Sequence, residues 1–227
     1  QHIKNKKNCF IKLSDFRGAD NQSPKTLEAI NNRECGWFYE TEPGKFSSIP
    51  GSPIAYWVSE KLRNAFSDAE VLGNIAEPRQ GMATTDNTRF LRLWHEVNIQ
   101  NIGFGYDKAE AKVSQKKWFP YNKGGEFRKW YGNTDYVVNF FDDGAEIIDA
   151  VKAKYRNTSY AQGFSDEKWD KLIEVWVVKN QQFYFKESVS WSKISSQFLA
   201  MRYYPKGFVF DVSGCCLFNN DKNIQNM

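Results

Sequence analysis

The sequence predicts an α+β fold in which helices pack on a mixed, largely antiparallel β-sheet. Two patterns predict this class: short strand-like segments rich in aromatic residues, and a pair of amphipathic helices that lies between groups of these segments. With 227 residues, of which 41% are hydrophobic and 16% aromatic, the chain is long enough to bury a sizeable core. Its apolar runs are far shorter than the ~20 residues that span a bilayer, so we expect a cytoplasmic protein with no membrane partner.

The first 50 residues are too few to form a domain, and they predict a strand over residues 9–13 and a short helix over residues 24–30. A longer helix is predicted over residues 53–66, because Ser52 suits the N-cap and Pro53 suits the first helical position. Apolar residues recur at every fourth position of this helix, namely Ile54, Val58, Leu62 and Phe66. We therefore expect residues 51–68 to form a connecting helix, and residues 69–227 to form the main domain.

The main domain is predicted to begin with a strand over residues 71–76 and a polar loop that extends to Arg89. Apolar and polar residues then alternate over residues 91–99, which is the period of a half-buried strand. His95 falls on the apolar phase of this strand. We expect a core or interface histidine rather than a catalytic base, since the sequence places no nucleophile or second histidine beside it.

Further strands are predicted on both sides of two helices. One strand covers residues 136–141 and ends at a turn made by Asp142-Asp143-Gly144, and the second helix is expected to begin at the N-cap Ser165. The apolar positions of the two helices are, in order, Ile147, Val151, Tyr155, Trp169, Leu172 or Ile173, and Trp176. The later strands are expected at residues 183–185, 189–191, 198–204 and 208–212.

The sequence offers no pattern for metal binding or catalysis. The cysteines (Cys9, Cys35, Cys215, Cys216) form no C-x-x-C pair and His2 lies far from His95, so we expect reduced thiols and no metal site. Gly103-Phe104-Gly105 lacks the third glycine of a nucleotide-binding loop, because that position is Lys108. The triplet Glu110-Ala111-Lys112 has only Asp107 as a nearby upstream acid, which is too close in sequence to share a catalytic metal with it. We expect no catalytic residue in this chain.

Residues 108–131, the basic–aromatic segment, carry the clearest signal for a ligand. Its cations are Lys108, Lys112, Lys116, Lys117, Lys123, Arg128 and Lys129, and its aromatic residues are Trp118, Phe119, Tyr121, Phe127, Trp130 and Tyr131. Cations neutralise phosphates, and flat rings stack on bases. The alternative is a basic surface whose aromatic residues belong to the core. The formal net charge of +4 permits an anionic partner without requiring one.

A second candidate is the polar loop over residues 79–89. It contains side-chain types that read base edges in a DNA groove, since arginine pairs with guanine and asparagine or glutamine pairs with adenine. An ordinary polar loop without a ligand would have the same composition.

Six blocks of the sequence then carry a family resemblance. They are residues 48–57 (SIPGSPIAYW), 76–81 (AEPRQG), 86–92 (DNTRFLR), 117–133 (KWFPYNKGGEFRKWYGN), 184–191 (YFKESVSW) and 202–208 (RYYPKGF). In this order they resemble the large adenine-specific DNA methyltransferases of BREX phage-defence systems. One position departs from the family pattern, because members commonly have glycine at the position of Thr85.

The resemblance implies that the chain is a fragment covering the target-recognition domain of such an enzyme, akin to that of a Type I specificity subunit. The methyltransferase domain, with its S-adenosylmethionine site and Asn-Pro-Pro-Tyr motif, would precede it, and residues 1–50 would be the tail of that domain. No two of the seven prolines are adjacent, so the motif is absent here. The fragment would bind double-stranded DNA and no cofactor, and it would not catalyse alone.

Site residues follow from the two candidate segments together with this resemblance. Phosphate contacts are expected from Lys123, Arg128 and Lys129. Base-reading contacts are expected from Arg79, Gln80, Thr84 and Asn87, with Trp191 and Arg202 as further candidates. Trp57, Trp118 and Trp130 are expected in the core.

A rival hypothesis is a non-catalytic module that docks the methyltransferase domain to other defence-system proteins. An exposed hydrophobic patch would favour that module, whereas a contiguous positive groove would favour a DNA reader.

Overall fold

The computed structural model describes residues 6–195 and 198–219 and has the predicted α+β fold. The chain divides into two compact units, the first ending at Val71 and the second beginning at Leu72. In the part of the chain that the structure describes, no helix is long and apolar enough to cross a membrane. His2 lies outside the described residues.

The first unit contains an antiparallel pair of strands, β1 (Asn8–Ile11) and β2 (Phe38–Thr41), and two helices, α1 (Ala19–Asn31) and α2 (Glu60–Asp68). The strand predicted at residues 9–13 is present as β1. Aromatic rings hold this unit together, since the Tyr56 ring stacks on that of Phe10 at 4.6 Å between centroids.

Both helices of the first unit differ from their predicted bounds. The helix predicted over residues 53–66 begins only at Glu60, because Ser59 is the N-cap and accepts a hydrogen bond from Leu62 N at 3.3 Å. Ser52, the predicted N-cap, has φ 46° and lies outside the helix. The other helix, α1, starts five residues before Pro24, so this proline is inside it.

The second unit contains two four-stranded sheets. Sheet A has the order β3-β10-β7-β8, and every neighbouring pair in it is antiparallel. Sheet B has the order β4-β6-β5-β9, in which β5 and β9 are parallel and the other pairs antiparallel. The strands are β3 (Glu77–Arg79), β4 (Leu91–Leu93), β5 (Trp118–Asn122), β6 (Tyr136–Asn139), β7 (Ser188–Ser192), β8 (Met201–Tyr204), β9 (Val209–Phe210) and β10 (Gly214–Phe218).

Five helices accompany these sheets: α3 (Leu72–Ile75), α4 (Asn87–Phe90), α5 (Lys108–Val113), α6 (Ala145–Tyr155) and α7 (Asp166–Val177). The two predicted amphipathic helices are α6 and α7. Ser165 caps α7 as predicted, by accepting a hydrogen bond from Lys168 N. Their buried residues are Ile147, Val151, Trp169, Ile173 and Val177, which belong to the main core cluster. Leu172 and Trp176 are exposed, so the apolar face passes through Ile173.

Several strand predictions in this unit are wrong. Residues 71–76 contain the helix α3 instead of a strand. The strand predicted over residues 91–99 ends at Leu93, because the Glu96 carboxylate accepts a hydrogen bond from Leu93 N at 2.7 Å and closes a 3-10 turn. His95 lies in that turn and is exposed, so it is not a core residue.

The strand predicted at residues 183–185 is also absent, because Phe183 ends a 3-10 turn and Phe185 has φ 67°. Asp142, Asp143 and Gly144 form the predicted turn, with positive φ at all three residues. The strands β5 and β10 were not predicted, although each is central in its sheet.

Candidate nucleic-acid interface

The loop between β5 and β6, residues 123–135, starts from a buried asparagine. Asn122 Nδ2 donates to Ser190 Oγ of sheet A at 2.7 Å, and Asn122 Oδ1 accepts from Gly124 N at 3.2 Å. Gly124 has φ 73°, and a side chain there would approach the Ser213 carbonyl oxygen to 2.5 Å. Only glycine meets both conditions, so the start of the β5–β6 loop is fixed against sheet A.

The middle of the β5–β6 loop runs along β8, which is an edge strand of sheet A. Trp130 N donates to Met201 O at 2.9 Å, and Trp130 O accepts from Tyr203 N at 3.0 Å. The Tyr204 hydroxyl donates toward the carbonyls of Gly132 (3.1 Å) and Asn133 (3.2 Å). These bonds satisfy the exposed edge of β8 and give the loop a defined course.

Arg202 lies beneath this loop rather than on the surface, with 1% of it exposed. Its Nη1 donates to Arg128 O at 3.3 Å, and its Nη2 donates to Ser192 Oγ at 2.9 Å. Among the described residues no carboxylate pairs with it, and its Nε has no hydrogen-bond partner. The predicted base reader is therefore a buried cation that supports the backbone of Arg128.

The three predicted phosphate contacts differ in how their charges are compensated. Arg128 and Lys129 are exposed and form no ion pair with any described residue. Lys123 Nζ instead lies 3.1 Å from Oδ2 of Asp211, which is 2% exposed. The charge of Lys123 is thus largely compensated within the protein, and only two of the three cations remain uncompensated.

Next to these cations the rings of Trp130 and Tyr131 are 67% and 75% exposed. The prediction that Trp130 lies in the core is wrong, as is that for Trp57, which is 51% exposed; Trp118 is half-buried. Trp130 has φ 70°, a left-handed conformation that costs a bulky residue about 1 to 3 kcal/mol. This backbone turns the side chain outward, and the two hydrogen bonds to β8 help to hold it there.

An open cavity of about 850 Å³ is lined by the β5–β6 loop and by strands of sheet A. Lys129, Trp130 and Tyr131 contribute to its rim, while Val189 and Tyr203 contribute from the strands. A cation and two exposed rings thus border an apolar surface, an arrangement that suits a ligand with both a flat apolar part and a negative charge.

The polar loop at residues 79–89 is bonded mainly to its own protein. Arg79 pairs with Glu77, and its guanidinium lies 5.0 Å from the centroid of the Phe183 ring. Gln80 Nε2 donates to Val212 O at 3.5 Å, and Gln80 O accepts from Asn180 Nδ2 at 2.9 Å. These predicted base readers are therefore engaged within the chain.

The second half of this loop leads into α4. Thr84 is 2% exposed and donates to Asn87 Oδ1 at 2.6 Å, whereas Asn87 itself is exposed at the first turn of α4. Thr85 has φ 54°, a conformation that glycine adopts more readily, which explains why glycine suits this position. Of the four base-reading candidates in this loop, Asn87 is the most accessible.

The structure does not bring Arg79 to the exposed cations of the β5–β6 loop, although the two candidate segments meet elsewhere, where Arg89 and Lys117 both pair with Glu146. Arg79 is in β3 at one edge, and the β5–β6 loop runs along β8 at the other edge. Three strand spacings separate these edges by about 14 Å. Trp191 is half-buried on β7 between them. The structure therefore groups Arg128, Lys129, Trp130 and Tyr131, and it does not bring the residues of the other loop to them.

Burial also shifts the pKa values of two groups below the β5–β6 loop. Burial raises the pKa of the Cys216 thiol to about 11, which keeps it protonated and unreactive. Burial, together with Asp211, holds the pKa of Tyr121 well above its ordinary value. Within the described ranges, no three histidine, cysteine or acidic side chains gather to hold a metal ion.

The chain is similar to part of much longer proteins. It is 38% identical over 216 residues to the adenine-specific methyltransferase PglX of Lacticaseibacillus casei (strain Zhang). This alignment covers 93% of the chain and 16% of that protein. It is 36% identical over 224 residues to the adenine-specific methyltransferase BrxX of Escherichia coli O9:H4 (strain HS). This alignment covers 97% of the chain and 16% of that protein. No protein-family model matches the chain.

The chain thus spans about one sixth of the length of these relatives. It matches a fragment of a BREX adenine-specific methyltransferase, which confirms the resemblance found in the sequence.

Proposed function

We propose that this chain binds duplex DNA through the β5–β6 loop and serves as the target-recognition part of an adenine-specific DNA methyltransferase in phage defence. One observation supports the proposal above all. Arg128 and Lys129 are exposed, adjacent and without an acidic partner among the described residues, on a loop that its hydrogen bonds to β8 hold in place. Uncompensated cations on a fixed backbone suit phosphate contacts, because little backbone freedom is lost on binding.

Two neighbouring charges modulate this positive surface. The buried guanidinium of Arg202 lies under the carbonyl of Arg128 and adds to the positive potential. Glu126 is the one acid among residues 123–131 and opposes it. We assign the phosphate contacts to Arg128 and Lys129, and we assign positioning roles to Lys123 and Arg202, because their charged groups contact other parts of the protein.

Base reading is assigned first to Asn87, whose side chain is exposed. Arg79, Gln80 and Thr84 would have to exchange their internal hydrogen bonds for contacts with a base edge. Asn87 Oδ1 would likewise have to release the Thr84 hydroxyl to accept from adenine. In the parent enzyme, S-adenosylmethionine would bind to a separate methyltransferase domain, and this chain would hold the DNA while the target adenine is flipped out of the helix. The fragment alone would not methylate.

The test is a fluorescence-anisotropy titration of the chain with random-sequence duplex DNA at two salt concentrations. Nonspecific affinity on the order of 10⁻⁴ to 10⁻⁶ M is expected. The double variant Arg128→Ala, Lys129→Ala should weaken binding and reduce the slope of log affinity against log salt by about 2, because two phosphate contacts are lost.

The matched control is Lys168→Ala, Lys171→Ala, which removes the same charge from the exposed face of α7. It should leave the salt slope within the error of the wild-type chain. Equal effects of the two double variants would contradict the assignment, since the loss would then reflect net charge alone.

A second candidate function is protein docking, and the connection between β7 and β8 favours it. Ile194, Phe198 and Leu199 are 85%, 74% and 66% exposed, and exposed apolar residues of this kind are typical of protein interfaces. Absence of DNA binding at low salt would favour this candidate.

A further inference from the structure

We propose that Trp130 stacks on an unpaired or unstacked base of the bound DNA. The inference rests on the proposed function and adds a base contact to it. Trp130 is in the β5–β6 loop directly after Lys129, and 67% of it is exposed.

The backbone of Trp130 is the first observation that carries the proposal. Its φ of 70° is a conformation that bulky residues rarely adopt, and such conformations persist where the surrounding structure imposes them and cluster at functional sites. Here the hydrogen bonds of Trp130 N to Met201 O and of Tyr203 N to Trp130 O impose it. The Cα–Cβ direction is therefore fixed, and the indole is presented to solvent before any ligand arrives.

The environment of the indole is the second observation. Among the described residues, no aromatic ring packs against it and no cation lies over it, in contrast to Trp118, which has Arg92 at 5.8 Å and Lys117 at 6.0 Å. An exposed indole without a ring or cation against it offers apolar surface on which a base can stack. Tyr131, 75% exposed, adds a second ring beside it.

The charges beside the ring favour DNA over a protein as the occupant. Arg128 and Lys129 precede Trp130 directly and have no acidic partner among the described residues, and Arg202 lies beneath them. A base with its phosphates offers a flat π-face and negative charge at this spacing, which is the combination used by proteins that bind unpaired nucleotides. Bases displaced from a duplex arise in base flipping, the step that adenine methylation of duplex DNA requires.

The experiment compares two duplexes of the same sequence, one fully paired and one with a single unpaired bulged base. The wild-type chain should bind the bulged duplex about fivefold or more tightly, as expected for one stacked base. Trp130→Gly should remove this preference. Glycine accepts the φ of residue 130 without strain, so the variant should keep the course of the loop and melt at or above the wild-type temperature.

The control is Trp176→Ala, which removes another exposed tryptophan, one that lies on α7 and packs against Tyr155 of α6. It should retain the wild-type preference for the bulged duplex. The stacking role would be overturned if Trp130→Gly kept the preference for the bulged duplex, or if the wild-type chain lacked that preference. In either case, salt-dependent binding of the paired duplex would still support the proposed function. Failure to bind either duplex at low salt would overturn both.

Discussion

At the scale of single residues, the buried polar cluster below the β5–β6 loop shows how burial sets protonation. Cys216 is 1% exposed, and its sulfur accepts a hydrogen bond from Asn122 Nδ2 at 3.3 Å. Loss of solvation nevertheless dominates and raises the pKa of the thiol from 9.0 to about 11. The folded protein therefore binds the thiol proton more tightly than the unfolded chain does.

This shift predicts loss of stability at alkaline pH. Because the pKa of Cys216 is raised in the folded protein, the thiol's contribution to folding stability is complete below pH 9 and disappears as the pH rises toward 11. The free energy of unfolding should fall by about 1 kcal/mol by pH 10. Urea unfolding at pH 8 and pH 10 measures it. Burial also raises the pKa values of Tyr121 and Tyr184 and acts in the same direction. The comparison is therefore with Cys216→Ala, which should show a smaller decrease; an equal decrease would contradict the assignment to Cys216.

At the scale of elements, the ends of the helices are decided by side-chain caps. In α2, Ser59 Oγ accepts from Leu62 N, and in α7, Ser165 Oγ accepts from Lys168 N. Ser52 and Pro53 present an equally good start signal in the sequence, yet the chain turns there and places the Tyr56 ring against Phe10. Aromatic packing thus overrides a local cap signal.

Cap removal tests this choice. Ser59→Ala should destabilise α2 by about 1 kcal/mol, because an amide of the first turn loses its acceptor. Ser52→Ala should change the stability of α2 by only about a few tenths of this amount. Hydrogen exchange of the amides of residues 63–68 reports on α2 itself. Ser165→Ala, in the second unit, is the matched control and should leave this exchange unchanged. Faster exchange in Ser52→Ala than in Ser59→Ala would show that the helix begins at the earlier signal.

At the scale of the whole second unit, one aspartate holds the junction between the two sheets against the end of β5. Asp211 follows β9 of sheet B and precedes β10 of sheet A. Its carboxylate accepts from the Tyr121 hydroxyl at 2.6 Å and from Lys123 Nζ at 3.1 Å, and its backbone N donates to Asn122 O at 3.0 Å. These three partners are consecutive residues at the end of β5 and the start of its loop.

Loss of this carboxylate should destabilise the second unit strongly. Asp211→Ala leaves the buried Tyr121 hydroxyl without its acceptor and Lys123 without its counter-charge, which should cost about 3 kcal/mol. Urea unfolding measures it. The exposed carboxylate of Asp149 on α6 has no ion pair with a described residue, so Asp149→Ala should change stability by less than about 0.5 kcal/mol. Similar midpoints for the two variants would contradict this role of Asp211.

The elements that the sequence predicted well are those whose signals are local. The helices α6 and α7 followed from apolar spacing and the cap at Ser165, and the turn at residues 142–144 followed from its Asp-Asp-Gly sequence. The strand predicted over residues 91–99 failed because the Glu96 carboxylate closes a turn that the alternation of apolar residues does not reveal. Of the predicted site, the base contacts stay predictions, and the phosphate contacts of Arg128 and Lys129 do as well.

The sequence by itself determined the α+β class and the presence of a basic, aromatic-rich segment, because composition and spacing are properties of neighbours along the chain. Only the tertiary structure decided which of its cations are uncompensated and which of its rings are exposed. Lys123 is compensated by an aspartate 88 residues away, and Trp130 is turned outward by its hydrogen bonds to β8. Charge compensation and burial depend on strand pairing between distant segments, and no local pattern encodes that pairing.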